Sequence, residues 1–355
     1  EANEKRIQES EISKRRDFRN TLTFTIDPVD AKDFDDAISL KKLADGKYEI
    51  GVHIADFSHF VKEGTAMNIE ARKRGFSVYL VDRTIPMLPE VLSNDICSLN
   101  PLEDKLSFSA VFTMDASGNI SDKWFGKTVI KSDKRFSYEE AQATLDAKSG
   151  EYFEALNTLN LIAKKLRDEK VKKGAIDFEQ DEVKFELDKD GKPLRIYLKK
   201  RLDTHKLVEE YMLLANREVA EFIFKANKKS RKDDPFIYRI HDVPDREKIA
   251  QLSIFLKALG YELSLKENNL TAKDLQMLFK LIEGKAEESM IKTAAIRSMA
   301  KAVYSTRNIG HFGLAFEYYT HFTSPIRRYA DLLVHRLLEK HLQDKSIPKH
   351  EWNLY

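Results

Sequence analysis

The chain is 355 residues long, 42% hydrophobic and 33% charged, enough apolar matter for a core and a balance that excludes a disordered or fibrous chain. Its net charge of +2 excludes nucleic-acid binding by bulk charge. Its one cysteine, Cys97, excludes an internal disulfide or a cysteine-based zinc site and fits a reducing, cytoplasmic setting.

Residues 1–20 read as a charged lead-in, and "EANEKRIQES" lacks the apolar segment of a secretory signal. Glu rather than Met at position 1 suggests an excised fragment. From Thr21 the pattern has period two: "TLTFTID" and "KYEIGVHIADFSHFV" read as strands, with Asp45-Gly46 as a hairpin turn between them. "FSVYLV", "KLSFSAVFTMD" and "ISDKWFGKTVIKS" supply further strands, with "ASGN" as a second turn; Pro86, Pro89 and Pro101 mark irregular connections. A helix follows Ser137, whose spacing to Glu140 is that of a capping box. Another spans about 151–173 and ends at Gly174. A strand pair over "AIDFEQDEVKFELDKDGKPLRIYLKKR" leads to a long helix from Thr204. Helices are expected over 245–259, 271–283 and 285–304, the last with Arg297 and Lys301 one turn apart. The final third adds a strand-like "HFGLAFEYYTHF" and a helix from Ser324 to about Leu342. No run of about 18 apolar residues occurs, so no membrane-spanning helix is expected. Strands first, helices later and a late strand return predict an α+β fold: a mixed, largely antiparallel sheet flanked by helices, in one domain over 21–345 with a tail from 346.

The densest signal is "TIDPVDAKDFDDAISL", which sets Asp27, Asp30, Asp33, Asp35 and Asp36 within ten positions between two strands. Carboxylates this close repel, and burial raises their pKa values, so they stay ionised together only beside cations. Oxygen-only ligands select Mg²⁺, Mn²⁺ or Ca²⁺ over zinc. An EF-hand fails, because its sixth position would be Lys32 and its twelfth Ile38. The competing reading is a polar turn with solvated aspartates, against which Phe34, Ala37 and Ile38 draw the segment inward. Two nearby divalent ions here would clamp the attacking and leaving oxygens of a phosphodiester.

A second constellation is "HFTSPIRRYADLLVHR". Ser324 suits an N-cap and Pro325 the first helical position, with Ile326, Ala330, Leu333 and Leu337 as an apolar stripe. Arg327 and Arg328 would then sit in the first turn, where the macrodipole disfavours cations unless an anion such as phosphate docks. The competing reading pairs them with Asp331 or with other neighbours. His53, His311, His321 and His335 read as structural residues, and no Ser-His-Asp triad or Gly-rich phosphate loop is present.

"TIDPVDAKDFDD" resembles the aspartate motif of the ribonuclease II/ribonuclease R family, whose catalytic unit is the RNB domain. "VHIADFSHFV", "RGFSVYLVDRTIPMLPEVLSNDICSLNP", "HKLVEEYMLLAN" and "GHFGLAFEYYTHFTSPIRRYADLLVHRLL" resemble segments of the same domain in the same order, covering residues 14–342. The wording is closer to ribonuclease R. The resemblance implies processive 3′→5′ hydrolysis of single-stranded RNA to 5′-nucleoside monophosphates with Mg²⁺, one or two ions, for which Mn²⁺ can substitute, in a monomeric, cytoplasmic enzyme. It places the metal-binding aspartates at Asp27, Asp33, Asp35 and Asp36, with Asp35 nearest the chemistry and Asp30 peripheral. Arg327 matches the residue that supports the scissile phosphate, with Arg328 beside it as an RNA contact. Tyr79 matches the tyrosine holding the 3′-terminal nucleotide, and Tyr138 and Phe178 match aromatics along the RNA channel. One of Glu209 and Glu210 matches a glutamate near the ribose, with Glu210 favoured. Relatives flank this domain with cold-shock and S1 modules that this chain lacks, so it is expected to be a catalytic-domain fragment. The alternatives are a non-catalytic RNA-binding scaffold, which would have lost motif aspartates, and a DEDD exonuclease, whose acids are spread along the chain.

Overall fold

Seven strands form the main sheet in the spatial order Arg16–Asp17, Ile120–Lys131, Asp104–Met114, Tyr48–Ala55, Asp36–Lys42, Thr23–Asp27 and Lys134–Ser137. The computed structural model describes residues 7, 9–176, 182–189, 191–230, 234–263, 270–345 and 347. The inner pairs of the sheet are antiparallel and the two outermost pairs parallel. The expected turn at Asp45-Gly46 closes one hairpin, with the Leu43 N–H donating to the Lys47 carbonyl at 2.8 Å and Gly46 at φ 82°. By contact the chain divides into two compact units, residues 1–166 with 181–236 and 321–355, and residues 167–180 with 237–320.

In the first unit, the strand Tyr48–Ala55 is buried from Ile50 onward. Ile50, Val52 and Ile54 alternate onto an apolar face. On the opposite face His53 is held by Ser109 Oγ at 2.7 Å and Ser39 Oγ at 2.8 Å, and burial pushes its pKa down to about 3, so the ring is neutral. Gly51 is required beside it, since a Cβ there would lie 2.4 Å from His53 Nε2.

The expected lead-in covers that polar face. Arg15 donates to the Ser107 and Thr128 carbonyls at 3.3 and 3.4 Å and pairs with the buried Asp56 at 2.8 Å. Phe18 packs edge-on to His53 at 4.9 Å between ring centroids. The domain therefore begins well before residue 21. Ile12, Arg15 and Phe18, spaced by three among exposed charges, are the buried residues that the charge count conceals. At the other end Ile347 is buried and its N–H reaches Asp234 Oδ1 at 3.2 Å, so the expected tail is anchored there.

The capping box is present: Ser137 Oγ accepts from the Glu140 N–H at 3.1 Å, and Glu140 Oε2 accepts from the Ser137 N–H at 2.8 Å, opening the helix Tyr138–Ala147. The long helix is Asp203–Ser230. The strand pair is Glu182–Leu187 with Pro193–Lys199. "FSVYLV" contributes only Val78–Tyr79, which pairs with Thr84–Ile85 outside the main sheet. The last helix starts at Tyr329, not Ser324. Residues 324–328 form a separate turn, after which Arg328 is extended and bridges to Phe76. The Tyr329 N–H donates to the Gly75 carbonyl and the Ser77 N–H to the Arg327 carbonyl. Cross-chain pairing overrides the capping signal of Ser324-Pro325.

The second unit packs the helices Arg246–Ala258, Ala272–Ile282 and Glu288–Ser298 around Leu252, Leu256, Leu275, Ile282 and Ile291. The helix expected over 285–304 stops at Ser298, Met299 is extended, and Val303–Ser305 pairs as a strand with Tyr238–Ile240. Arg297 and Lys301 thus share no helix face. "HFGLAFEYYTHF" is not a strand. A 3₁₀ turn over Phe312–Leu314, with His311 Nδ1 accepting from the Leu314 N–H and Ala315 at φ 53°, replaces it.

Candidate active site

The acid cluster lies where one strand ends and the next begins. Asp27 closes the strand Thr23–Asp27 and Asp36 opens Asp36–Lys42, so Asp33 and Asp35 fall on the joining loop. Phe34, buried between them, anchors that loop. Its N–H donates to Ser98 Oγ at 2.9 Å, and its carbonyl accepts from the Leu99 N–H at 3.0 Å. The Asp35 carbonyl accepts from the Ala55 N–H at 2.8 Å, and Arg135 donates to the Pro28 and Val29 carbonyls at 2.6 and 2.8 Å. A short acidic loop is thereby held as firmly as a strand. Asp30 is exposed, as a peripheral residue should be.

Electrostatics set this loop apart. Burial pushes the Asp35 carboxyl up to about 8 and the Asp36 carboxyl to about 6, with Arg327 opposing both shifts. Burial, with Asp36 next to it, raises Asp27 well above the usual range, and burial also raises Asp33. Asp27 Oδ2 is buried without a hydrogen-bond partner. Among the described residues, no three or more histidine, cysteine, aspartate or glutamate side chains stand together in an arrangement that could hold a metal ion. An orphaned carboxylate oxygen among acids that oppose one another's ionisation is nevertheless the donor set a hard divalent cation fits.

The second constellation meets this loop from the far end of the chain. The Ile326 N–H donates to Asp35 Oδ1 at 3.1 Å, and Arg327 Nε stands 3.7 Å from Asp35 Oδ2. Arg327 Nη2 donates to Ser324 Oγ at 3.0 Å, and the side chain remains 45% exposed, so its guanidinium opens to solvent beside the acids. Tyr79 is 55% exposed. Burial, with the charge of Asp33 close by, pushes its phenol up to about 12.

The sequence matches the RNB domain family over residues 15–344. The chain belongs to that family. Ribonuclease R of Aquifex aeolicus is 42% identical over 353 residues, 98% of this chain and 49% of that protein, so the chain spans about half the length of the relative it matches. The structure of Mycoplasma genitalium RNase R in complex with ribose methylated single-stranded RNA superposes with a TM-score of 0.90 at 29% identity, covering 99% of this chain and 55% of that one. Yeast Ssd1, a pseudonuclease, superposes at 0.79 with 23% identity, over 97% of this chain and 42% of that one, a likeness of fold alone.

In this RNB domain Arg328 is committed to Asp331, donating to both its oxygens at 2.8 Å. Arg328 takes the ion pair with Asp331, and Arg327 pairs with Asp35 while its side chain stays 45% exposed. The dipole argument falls with the helix start, because Asp331 is the charge in the first turn. Glu210 is buried on the core side of its helix, whereas Glu209 is half-buried and paired with Arg201. Tyr138 is half-buried, raised by burial and by the charges of Asp36 and Asp27, and stacked on His205. Phe178 lies outside the described residues. His53 and His335 are buried, hydrogen-bonded and neutral, as structural histidines should be. Ser98, Arg135 and His205 were not singled out in the sequence. Ser98 lies in "SNDICSLNP" and His205 opens "HKLVEEYMLLAN", so both stand in segments that carry the resemblance, whereas Arg135 lies in none of them.

Proposed function

We propose that the chain is the catalytic domain of a 3′→5′ exoribonuclease that hydrolyses single-stranded RNA processively to 5′-nucleoside monophosphates, with Mg²⁺ as cofactor and Mn²⁺ as substitute. The observation that carries this reading is the meeting of Arg327 with Asp35 across 291 residues of sequence, at a cluster that retains all four motif aspartates. Kinship to proteins named ribonuclease R supports the same reading. So does the likeness to an RNase R solved with single-stranded RNA. The likeness to a pseudonuclease shows that the fold does not decide activity, so the residues must.

Asp27, Asp33, Asp35 and Asp36 would hold the ion or ions. A divalent cation in such a site supplies hydroxide near neutral pH and positive charge for the phosphate oxygens. The remaining work falls to the protein. Arg327, beside Asp35 and open to solvent, would neutralise charge that develops on the scissile phosphate. Tyr79 offers an exposed ring on which the 3′-terminal nucleotide stacks. Glu209, half-buried at the surface, is better placed to meet a ribose hydroxyl than the buried Glu210. Among the described residues no helix is long and apolar enough to cross a membrane. The cytoplasmic setting we propose rests on the buried free Cys97.

The test is incubation with 5′-labelled single-stranded RNA and Mg²⁺, with and without EDTA. Stepwise shortening from the 3′ end with chelator-sensitive release of mononucleotides is expected, and internal cuts would refute the reading.

A further inference from the structure

One face of the Tyr138 ring is covered. The ring lies flat on the imidazole of His205, with centroids 3.9 Å apart and planes 10° from parallel, and Lys199 Nζ stands 6.0 Å from its centroid. His205 is itself fixed at the entry of the helix Asp203–Ser230, where its Nδ1 accepts from the Leu202 N–H at 3.1 Å. That bond leaves Nδ1 without a proton. The neighbouring Thr204, fully buried, donates from Oγ1 to the Tyr138 carbonyl at 3.0 Å and from its N–H to Gln142 Oε1 at 3.3 Å. The first turn of one helix thus grips the first turn of another at Tyr138, by one ring stack and two hydrogen bonds.

We propose that His205 is a positioning residue, which covers one face of Tyr138 and fixes the plane of its ring next to the acid loop, where the preceding Ser137 pairs with Asp27 across the sheet, so that His205 acts on turnover through Tyr138. The inference rests on the exoribonuclease reading. A flat partner suits the task because stacking fixes the plane of the ring, which no single hydrogen bond does.

Three variants separate ring from hydrogen bond: His205→Phe keeps the flat face and loses the acceptor, His205→Asn keeps a polar acceptor and loses the face, and His205→Ala loses both. The measurement is single-turnover hydrolysis of a 5′-labelled single-stranded RNA with Mg²⁺ by the full chain, beside RNA binding by anisotropy. His205→Ala should slow turnover about tenfold with binding held within about threefold, the signature of misplacement. His205→Phe should return to within about threefold of wild type, and His205→Asn should not. In a Tyr138→Ala background, His205→Ala should add no more than about twofold, because its effect passes through Tyr138. Should His205→Ala fail to fold, the Phe and Asn variants decide. An active Asn variant beside a slow Phe variant overturns the proposal, and so do fully additive losses in the double variant. A wild type without hydrolysis overturns the exoribonuclease reading and this one with it; an active wild type with additive losses overturns the positioning role alone.

Discussion

The backbone N–H of Ile326 donates to Asp35 Oδ1 at 3.1 Å, joining the acid loop near the start of the chain to a turn 291 residues later. The same turn carries Arg327, whose guanidinium faces the other oxygen of Asp35. One carboxylate is therefore oriented by a backbone donor and faced by an arginine.

Arg327→Ala should lower single-turnover hydrolysis of RNA on the order of a hundred- to a thousandfold, the loss seen when one donor to a developing oxyanion is removed. RNA affinity should change by less than about threefold, since the interaction is realised in the transition state. Parallel rate and binding measurements check the split.

Without metal, the acids should make stability depend on pH. The folded-state values of Asp35 and Asp36 are raised, to about 8 and about 6. Folding then favours their protonated forms, so their contribution to stability is fully present below the unfolded value near 4 and is lost as pH rises through about 6 to 8. In EDTA the melting temperature should fall by several degrees, on the order expected for one to a few kcal/mol, over that window. Asp35→Asn should flatten the curve, and Mg²⁺ should restore stability at the high end.

Tyr79→Ala should lengthen the shortest product without abolishing hydrolysis, because an exposed ring beside the acids contributes grip and not chemistry. A product ladder on a labelled homopolymer gives the answer.

Arg15→Ala should destabilise the protein by about 3 kcal/mol, the cost of leaving a buried acid short of a partner. Asp56, fully buried, would keep Lys127 at 2.6 Å and lose Arg15 at 2.8 Å. Urea unfolding measures the change, and no loss would return residues 12–18 to the status of a lead-in.

The local signals that proved legible were those whose physics is local. The capping box at Ser137 and the Asp45-Gly46 turn depend on neighbours in sequence and stand where their residues put them; the period-two runs give the strands Thr23–Asp27 and Tyr48–Ala55, but the end of the second run, Phe57–Phe60, is a helix. The acid cluster was legible because five carboxylates in ten positions have few stable explanations. What stayed hidden depends on distant partners. Arg328 is extended because Phe76 pairs with it, so the helix begins at Tyr329 although Ser324-Pro325 carry the chemistry of a helix start. Arg15 and Phe18 look like solvated charge and stray aromatic until the polar face around His53 needs a cover. His205 opens the segment "HKLVEEYMLLAN", but its significance comes from the ring it lies on, 67 residues earlier in the chain.

The most direct test of the central claim, that the four aspartates and Arg327 act on one phosphodiester, is the single-turnover rate of Asp35→Asn against wild type on 5′-labelled single-stranded RNA in Mg²⁺. Removal of a group at the reacting centre predicts a loss of about a thousandfold or more with RNA binding within about threefold. A rate within about threefold of wild type would contradict it.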